Sequence, residues 1–293
     1  MARSDGRSGG GRRPVRRDAT RRPSAGWRVV RDDPAQFGDP VGVGDGADGV
    51  LEGGPPPGLV AGVAGSLMTA VAEARTPLAA ELVLCGVLGM LVTGIEGDDD
   101  DRADAVGELL GTVIGHCVQV GTADALAVLR VCAVLGPDAT RAVARAAADG
   151  LAGAGVPDRP WAARLGRPVA LRAWRYGDVF GTQSSVGVVF DDQGREHALM
   201  VLIDENLGGG IKDAWVAHGR EAKGLRDRIA TGLATEPDAY FEDIDLPTAA
   251  EVLREALACR PCPEQVDQIE DVATYLFLVR SRTEHLARPF SAG

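Results

Sequence analysis

The hydrophobic pattern of this chain changes near Pro157, and that change sets the fold class. From about residue 59 to residue 153, apolar residues recur at helical spacing in alanine-rich segments that end near glycines. After Pro157 come short apolar runs with β-branched and aromatic residues, separated by Asp- and Gly-rich turns. The two patterns in series predict an α+β protein. We expect an N-terminal all-α helical bundle, or a short helical array, followed by a small antiparallel sheet covered by helices.

Three segments follow from this pattern. Residues 1–57 are predicted to be a disordered basic tail with a Gly/Pro-rich linker, residues 58–156 an alanine-rich helical domain, and residues 157–293 an α+β domain. Thr76 followed by Pro77 is typical of a helix start, and the helical domain is expected to hold five helices.

The α+β domain is predicted in more detail. Its strands are expected at about 168–176, 184–191 and 195–204, and its helices at about 210–231, 248–259 and 263–287. Asp191, Asp192 and Gly194 supply the turn between the second and third strands. A capping box from Thr248 to Glu251 is expected to begin the second helix. The stretch "AYFEDIDL", residues 239–246, predicts a further short edge strand.

The charge of the chain limits its partners. The net charge is −11, yet residues 1–22 hold eight arginines and two aspartates, so the remaining residues carry about −17. An acidic body is a poor non-specific binder of nucleic acid, because phosphate contacts supply most of that affinity. Nucleic acid is therefore expected only through the arginine-rich tail. No membrane association is expected, because the most apolar run, residues 82–95, is shorter than the roughly 20 residues of a membrane span.

The cysteines indicate a reducing compartment. The chain has five cysteines, an odd number, and shows no secretory signal, so we expect a cytoplasmic location. Cys259 and Cys262 have the C-x-x-C spacing of redox and metal sites, but no second pair exists to complete a structural zinc site. The cysteines therefore predict no metal site and leave a dithiol switch open.

The stretch "VLIDENLGGGIKDAW", residues 201–215, is the strongest candidate for a binding loop. A strand is expected to end at Asp204 and a helix to begin near Ile211, with three glycines between them. The first amides of a helix lack internal partners and carry positive partial charge, so such a loop would bind an anion, with Lys212 as counter-charge. Asp204, Asn206 and Asp213 offer oxygens to a hard cation instead. A tight structural turn is the third interpretation.

A second polar cluster lies in "WRYGDVFGTQSS", residues 174–185. Ser185, His197 and Asp204 are the residue types of a nucleophile, base and orienting acid, although no G-x-S-x-G elbow surrounds the serine. The candidate ligand-binding residues are Tyr176, Asp178, Gln183, Ser185, His197, Asp204, Asn206, Gly208, Gly209, Gly210, Lys212 and Asp213. The sequence identifies no catalytic residue, no cofactor and no oligomeric state.

The segment "AWRYGDVFGTQSSVGVVFDDQGREHALMVLIDENLGGGIKD", together with the alanine-rich helices before it, resembles a group of uncharacterised proteins of high-GC actinobacteria. The resemblance covers about residues 60–288. It implies a bacterial, cytoplasmic context and transfers no activity and no catalytic residue.

Three functions are compatible with these observations. The first is an intracellular, non-enzymatic binding or regulatory protein, with a small-ligand or protein-partner site around residues 174–185 and 204–213. The second is an enzyme acting on a phosphorylated or nucleotide substrate, with a divalent metal at Asp178, Asp204 or Asp213. The third is a nucleic-acid-associated protein that binds through its arginine-rich tail. The absence of any complete catalytic signature favours the first function.

Overall fold

The computed structural model describes residues 57–95, 99–259 and 269–287. Within these ranges the predicted α+β class is confirmed, with eight α-helices and one five-stranded antiparallel sheet. The predicted tail and linker up to residue 56, Cys262, and the beginning of the predicted helix 263–287 lie outside the described residues.

The five helices predicted for the first half are present. They are α1 (Pro57–Glu73), α2 (Pro77–Gly94), α3 (Asp99–Val120), α4 (Ala123–Leu135) and α5 (Asp138–Gly153). The predicted start of α2 is confirmed: Thr76 Oγ1 accepts a hydrogen bond from the amide of Ala79 at 3.1 Å, and Pro77 occupies the first turn. The same geometry recurs at Thr122, which caps α4 through the amide of Ala125.

Helix α2 is long and apolar enough to cross a membrane by length and composition. Its neighbours account for that composition, because α2 packs against α1, α3 and α4 and against the C-terminal helix α8 (Ile269–Leu286). Leu84, Cys85 and Leu88 on α2 are fully buried in the helical core. The helix is therefore a core element of this fold.

The sheet consists of β1 (Val169–Asp178), β2 (Gln183–Asp191), β3 (Glu196–Asp204), β4 (Gly210–His218) and β5 (Ala239–Ile244), in the order β4-β3-β2-β1-β5. The three predicted strands and the predicted edge strand are confirmed. Strand β2 lies at the centre, and residues 184–190 are all buried because both sheet faces are covered. One face packs against α7 (Leu246–Ala258) and α8, and the other packs against α6 (Leu225–Leu233) and the segment before it.

Helix α7 begins two residues before the predicted capping box. The carboxylate of Asp245 accepts a hydrogen bond from the amide of Thr248 at 2.8 Å, so Asp245 is the N-cap and Thr248 lies in the first turn. Aspartate is as good a cap as threonine, and Pro247 suits the first turn, since its missing amide hydrogen has no partner to lose.

The predicted helix 210–231 is wrong over its first half. Residues 210–218 form strand β4, and only Leu225–Leu233 are helical. Ile211, Ala214, Trp215 and His218 have helical spacing, but nine residues are too few for periodicity to separate helix from strand. Pairing decided the outcome, because the buried strand β3 has backbone groups on both edges and β4 satisfies those on the side away from β2.

Helix α8 belongs to both cores. Its Phe277 and Leu278 lie in the helical core, whereas Val279 and Leu286 lie in the core beneath the sheet. Arg282 on α8 forms an ion pair with Glu81 on α2, and both side chains are buried. This helix therefore joins the helical layer to the sheet.

Candidate functional site

Two loops that hold most of the candidate residues meet at one end of the sheet. The β2–β3 register pairs Gln183 with Asp204, so the β1–β2 turn and the β3–β4 loop lie side by side. The amide of Glu205 donates to the carbonyl of Thr182 at 2.9 Å and ties the loops together. We call residues 178–183 and 204–210 the sheet-end surface.

Asp178 organises the β1–β2 turn. Its carboxylate accepts hydrogen bonds from the amides of Phe180 (2.9 Å), Thr182 (3.1 Å) and Gln183 (2.7 Å) and from the Thr182 hydroxyl (2.7 Å). Desolvation raises the pKa of Asp178, but these hydrogen bonds outweigh it and lower the pKa to about 2. The side chain predicted to contact a ligand is thus occupied by its own turn.

Asp204 has a similar role in the β3–β4 loop. Its buried carboxylate accepts from Lys212 Nζ at 2.6 Å, from Gln183 Nε2 at 2.8 Å and from the amide of Asn206 at 3.1 Å. Desolvation raises the pKa of Asp204, but the hydrogen bonds from Lys212 and Gln183 outweigh this effect, so the pKa of Asp204 lies below its ordinary value. Five predicted residues, Asp178, Gln183, Asp204, Asn206 and Lys212, therefore form one continuous hydrogen-bonded chain across the two loops.

The triple glycine is not the start of a helix. Gly208 and Gly209 have φ values of +88° and +82°, and Gly210 begins strand β4. The amide of Gly208 donates to the carbonyl of Glu205 at 3.2 Å, and the amide of Gly209 donates to the carbonyl of Asp204 at 3.0 Å. The helix start on which the predicted anion site was based is therefore wrong, because Gly210 begins a strand and the amides of Gly208 and Gly209 have backbone partners. Ligand binding at this loop stays a prediction. The glycines serve the turn, since L side chains rarely adopt positive φ.

The proposed nucleophile–base set is also not assembled. Ser185 pairs with Leu202 on β3, whereas His197 pairs with Phe190 near the other end of the hairpin. Because successive side chains alternate between faces, Ser185 points to the α6 face and His197 to the α7–α8 face. His197 is stacked on Phe190 and its Nε2 has no hydrogen-bond partner among the described residues. Burial, with Arg282 and His218 nearby, lowers the pKa of His197 to about 3.

Two further candidates lie on the α6 face. Tyr176 pairs with Ser185 across β1 and β2, and burial raises the pKa of the tyrosine. Asp213 pairs with Leu202 on β3. The sheet thus places Tyr176, Ser185 and Asp213 on one face and separates all three from His197.

Two residues of the sheet-end surface and two of its neighbours were not among the residues predicted from the sequence. Phe180 and Val179, in the β1–β2 turn, are 71% and 55% exposed. Arg175 Nη2 donates to Ser184 Oγ at 3.1 Å and lies 3.7 Å from Glu205 Oε1. Cys259 follows α7 and lies against Gly209 and Gly210, where a β-carbon on Gly209 would be 3.8 Å from its Sγ. The unusual run "DVFG" was the sequence signal for the exposed pair, because an apolar dipeptide rarely occupies a tight turn.

The described residues contain no group of three or more His, Cys, Asp or Glu side chains arranged to hold a metal ion. Compared with protein-family models, with curated proteins and with solved structures, the chain gives no match. The resemblance to actinobacterial proteins therefore stays a prediction.

The carboxylate of Asp178 gives this surface a measurable pH dependence. Asp178→Asn is expected to lower the free energy of unfolding by about 1–2 kcal/mol at pH 7, because an amide replaces a charged acceptor of four hydrogen bonds. The folded-state pKa lies below the unfolded value of about 3.9, so this stabilisation is present above about pH 5 and is lost as the pH falls towards 2. Urea unfolding of both proteins between pH 7 and pH 3 measures the difference.

Glu251→Gln is the matched control, because Glu251 is an exposed carboxylate on α7. It is expected to change the free energy of unfolding by no more than about 0.5 kcal/mol. A difference between wild type and Asp178→Asn that stays constant from pH 7 to pH 3 would contradict the assigned role of Asp178.

Proposed function

We propose that this chain is a non-enzymatic, cytoplasmic binding protein whose sheet-end surface binds a protein partner. The observation that carries the proposal is the exposed pair Val179 and Phe180 on a turn that four hydrogen bonds to Asp178 hold in place. Single exposed apolar side chains are common, but adjacent ones on an ordered turn form a small contiguous apolar surface, and aromatic residues are enriched in protein–protein interfaces.

Three sets of hydrogen bonds hold the turn in place, so a partner can bind it without a large loss of conformational entropy. Asp178 fixes it from within, the amide of Val179 donates to the carbonyl of Asp238 at 2.9 Å, and the carbonyl of Thr182 accepts from Glu205. A side chain presented on a fixed backbone loses little conformational freedom when a partner binds. Phe180 adds a large apolar ring with few rotatable bonds.

The use of the carboxylates supports a non-enzymatic role. Asp178 and Asp204 both have lowered pKa values, whereas a carboxyl group that acts as a general acid at neutral pH needs a raised pKa. Both carboxylates also accept hydrogen bonds from the protein itself, which occupies the oxygens that a general base would use. The described free cysteines, Cys85, Cys117, Cys132 and Cys259, fit the reducing environment of the cytoplasm.

Site-specific photo-crosslinking tests the proposal. A photoreactive phenylalanine analogue at position 180 is expected to give one discrete protein adduct in cells that express the chain naturally. The same analogue at Val143, which is 55% exposed on α5, is the control. Failure to form an adduct at position 180, or the same adduct at position 143, would refute a partner site at the turn.

Once the partner is identified, Phe180→Ala should weaken its binding by at least tenfold, because a central aromatic anchor contributes about 2 kcal/mol or more. Its effect on the free energy of unfolding should stay within about 0.5 kcal/mol, since the ring is 71% exposed. Calorimetric titration and urea unfolding measure the two quantities. Equal affinity of Phe180→Ala and wild type would contradict the proposal even if an adduct had formed.

A further inference from the structure

A cleft that shares no residue with the sheet-end surface is lined by arginines. It lies between α4, α5, the segment 158–167 and the end of α8, and it has a volume of about 850 Å³. This volume falls within the roughly 300–1,000 Å³ that is usual for small-molecule sites. We call it the arginine cleft, after Arg130, Arg141, Arg145, Arg159 and Arg167.

Two of these arginines are fixed in place by carboxylates. Arg130 forms a two-pronged contact with Asp158, with both nitrogen–oxygen distances at 3.0 Å, and a further contact with Asp149 at 2.6 Å. Arg141 reaches Glu284 on α8 at 2.8 Å. Such pairs order the guanidinium groups and hold the walls of the cleft together.

The other arginines retain unused donors. Arg145 and Arg167 are exposed and form no ion pair with any described residue. Arg159 contacts Asp124, but its buried Nε has no acceptor among the described residues. The cleft thus combines two free guanidinium groups with a third that is only partly satisfied, in a chain whose net charge is −11.

The lining of the cleft also includes apolar residues. Ala133, Val134, Ala142, Ala162 and Leu165 contribute apolar surface, which we call the apolar floor, and Ala133 and Leu165 are buried. An apolar floor with a few converging donors is the usual composition of a site for a small organic ligand. Guanidinium groups favour phosphate oxygens, because their planar forks can donate two parallel hydrogen bonds.

We propose that the arginine cleft binds a small phosphate monoester, with its phosphate on Arg145 and Arg167 and its apolar body on the floor. This site is separate from the sheet-end surface, so each can fail without the other. The carboxylates paired with Arg130, Arg141 and Arg159 balance the charge of the five arginines, so the attraction for an anion is confined to the two unpaired guanidinium groups. Two local positive charges suit a small dianion better than a polyanion such as nucleic acid.

Three probes separate the contributions of the phosphate group and of the apolar group to the binding affinity. They are phenyl phosphate, phenol and inorganic phosphate. Calorimetric titration of the full chain with phenyl phosphate is expected to show binding that weakens as salt is added. Phenol lacks the charge and should not bind measurably. Inorganic phosphate should bind about tenfold more weakly, because it leaves the apolar floor uncovered. Equal affinity for inorganic phosphate and phenyl phosphate would contradict the proposal that the ligand is a phosphate monoester whose organic group lies on the apolar floor.

Arginine variants test which residues bind the phosphate. Arg145→Gln and Arg167→Gln are each expected to weaken phenyl phosphate binding by about tenfold or more, because each removes a charge-assisted hydrogen bond. Arg254→Gln is the matched control, since Arg254 is an exposed arginine on α7 outside the cleft. All three side chains are exposed, so the variants should fold, and thermal melting verifies that they do. Wild-type affinity in the double variant Arg145→Gln/Arg167→Gln, or no binding by the wild type, would overturn the proposal.

Discussion

Glu81→Ala is expected to lower the free energy of unfolding by about 3–5 kcal/mol, because it leaves a buried guanidinium without its counter-charge. The side chains of Glu81 and Arg282 are 1% and 2% exposed. Glu81 Oε2 pairs with Arg282 Nη2, and Glu81 Oε1 accepts from Arg282 Nη1 at 3.3 Å and from the amide of Gly166 at 3.1 Å. One carboxylate thus joins α2, α8 and the segment that leads into β1.

Removing both charges should be far less costly than removing one. In Glu81→Met/Arg282→Met the low-dielectric site no longer holds an unpaired charge, and the two thioether side chains fill most of the volume. The double variant is therefore expected to be more stable than Glu81→Ala by several kcal/mol. Guanidinium chloride unfolding of the wild type, Glu81→Met, Arg282→Met and Glu81→Met/Arg282→Met gives the coupling free energy of the pair, and Glu81→Ala is measured beside them.

A surface pair provides the control for this measurement. Arg226 and Asp243 also form an ion pair, but Asp243 is 60% exposed, so Asp243→Ala should cost less than about 1 kcal/mol. A cost for Glu81→Ala as small as that of Asp243→Ala would show that the buried pair does not connect the helical layer to the sheet.

The parts of this fold that the sequence predicted are those set by local interactions. Thr76 and Pro77 predicted the start of α2, because a cap and a first-turn proline affect only the backbone of the same helical turn. Asp191, Asp192 and Gly194 predicted the β2–β3 hairpin, because turn residues determine the backbone conformation of their immediate neighbours. Strand β4 was missed because its partner, not its own periodicity, decided its conformation.

The same hairpin register contained information about the site. Once the turn places Asp191 opposite Glu196, counting back along both strands places Gln183 opposite Asp204 and Ser185 opposite Leu202. That count brings the two polar loops together and separates Ser185 from His197. Glu81 and Arg282, 201 residues apart, could not be paired in this way, because no local rule connects two helices that meet only in the folded core.

Gly187→Ala is the second substitution with a large expected effect, at about 3 kcal/mol or more of lost stability. Gly187 lies at the centre of β2, opposite Trp174 on β1, and its missing side chain is what allows the indole to lie over the strand. A β-carbon on residue 187 would overlap Cε2 and Cζ2 of that indole and lie 2.8 Å from its Nε1. Trp174 is fully buried beside Val189, Ala198 and Met200, so the ring cannot move aside.

Two further variants test this contact rather than glycine substitution in general. Gly150→Ala on α5 has open space around the new methyl group and should stabilise the protein by about 0.5–1 kcal/mol, because alanine is the better helix former. Trp174→Leu leaves a cavity. Adding Gly187→Ala to Trp174→Leu should cost no further stability, because the methyl group fills part of the space that the indole occupied. Urea unfolding of the wild type, Gly187→Ala, Trp174→Leu and the double variant measures the coupling free energy between the two positions. Additive losses in Gly187→Ala/Trp174→Leu would mean that the strand itself, and not the indole above it, requires glycine at this position.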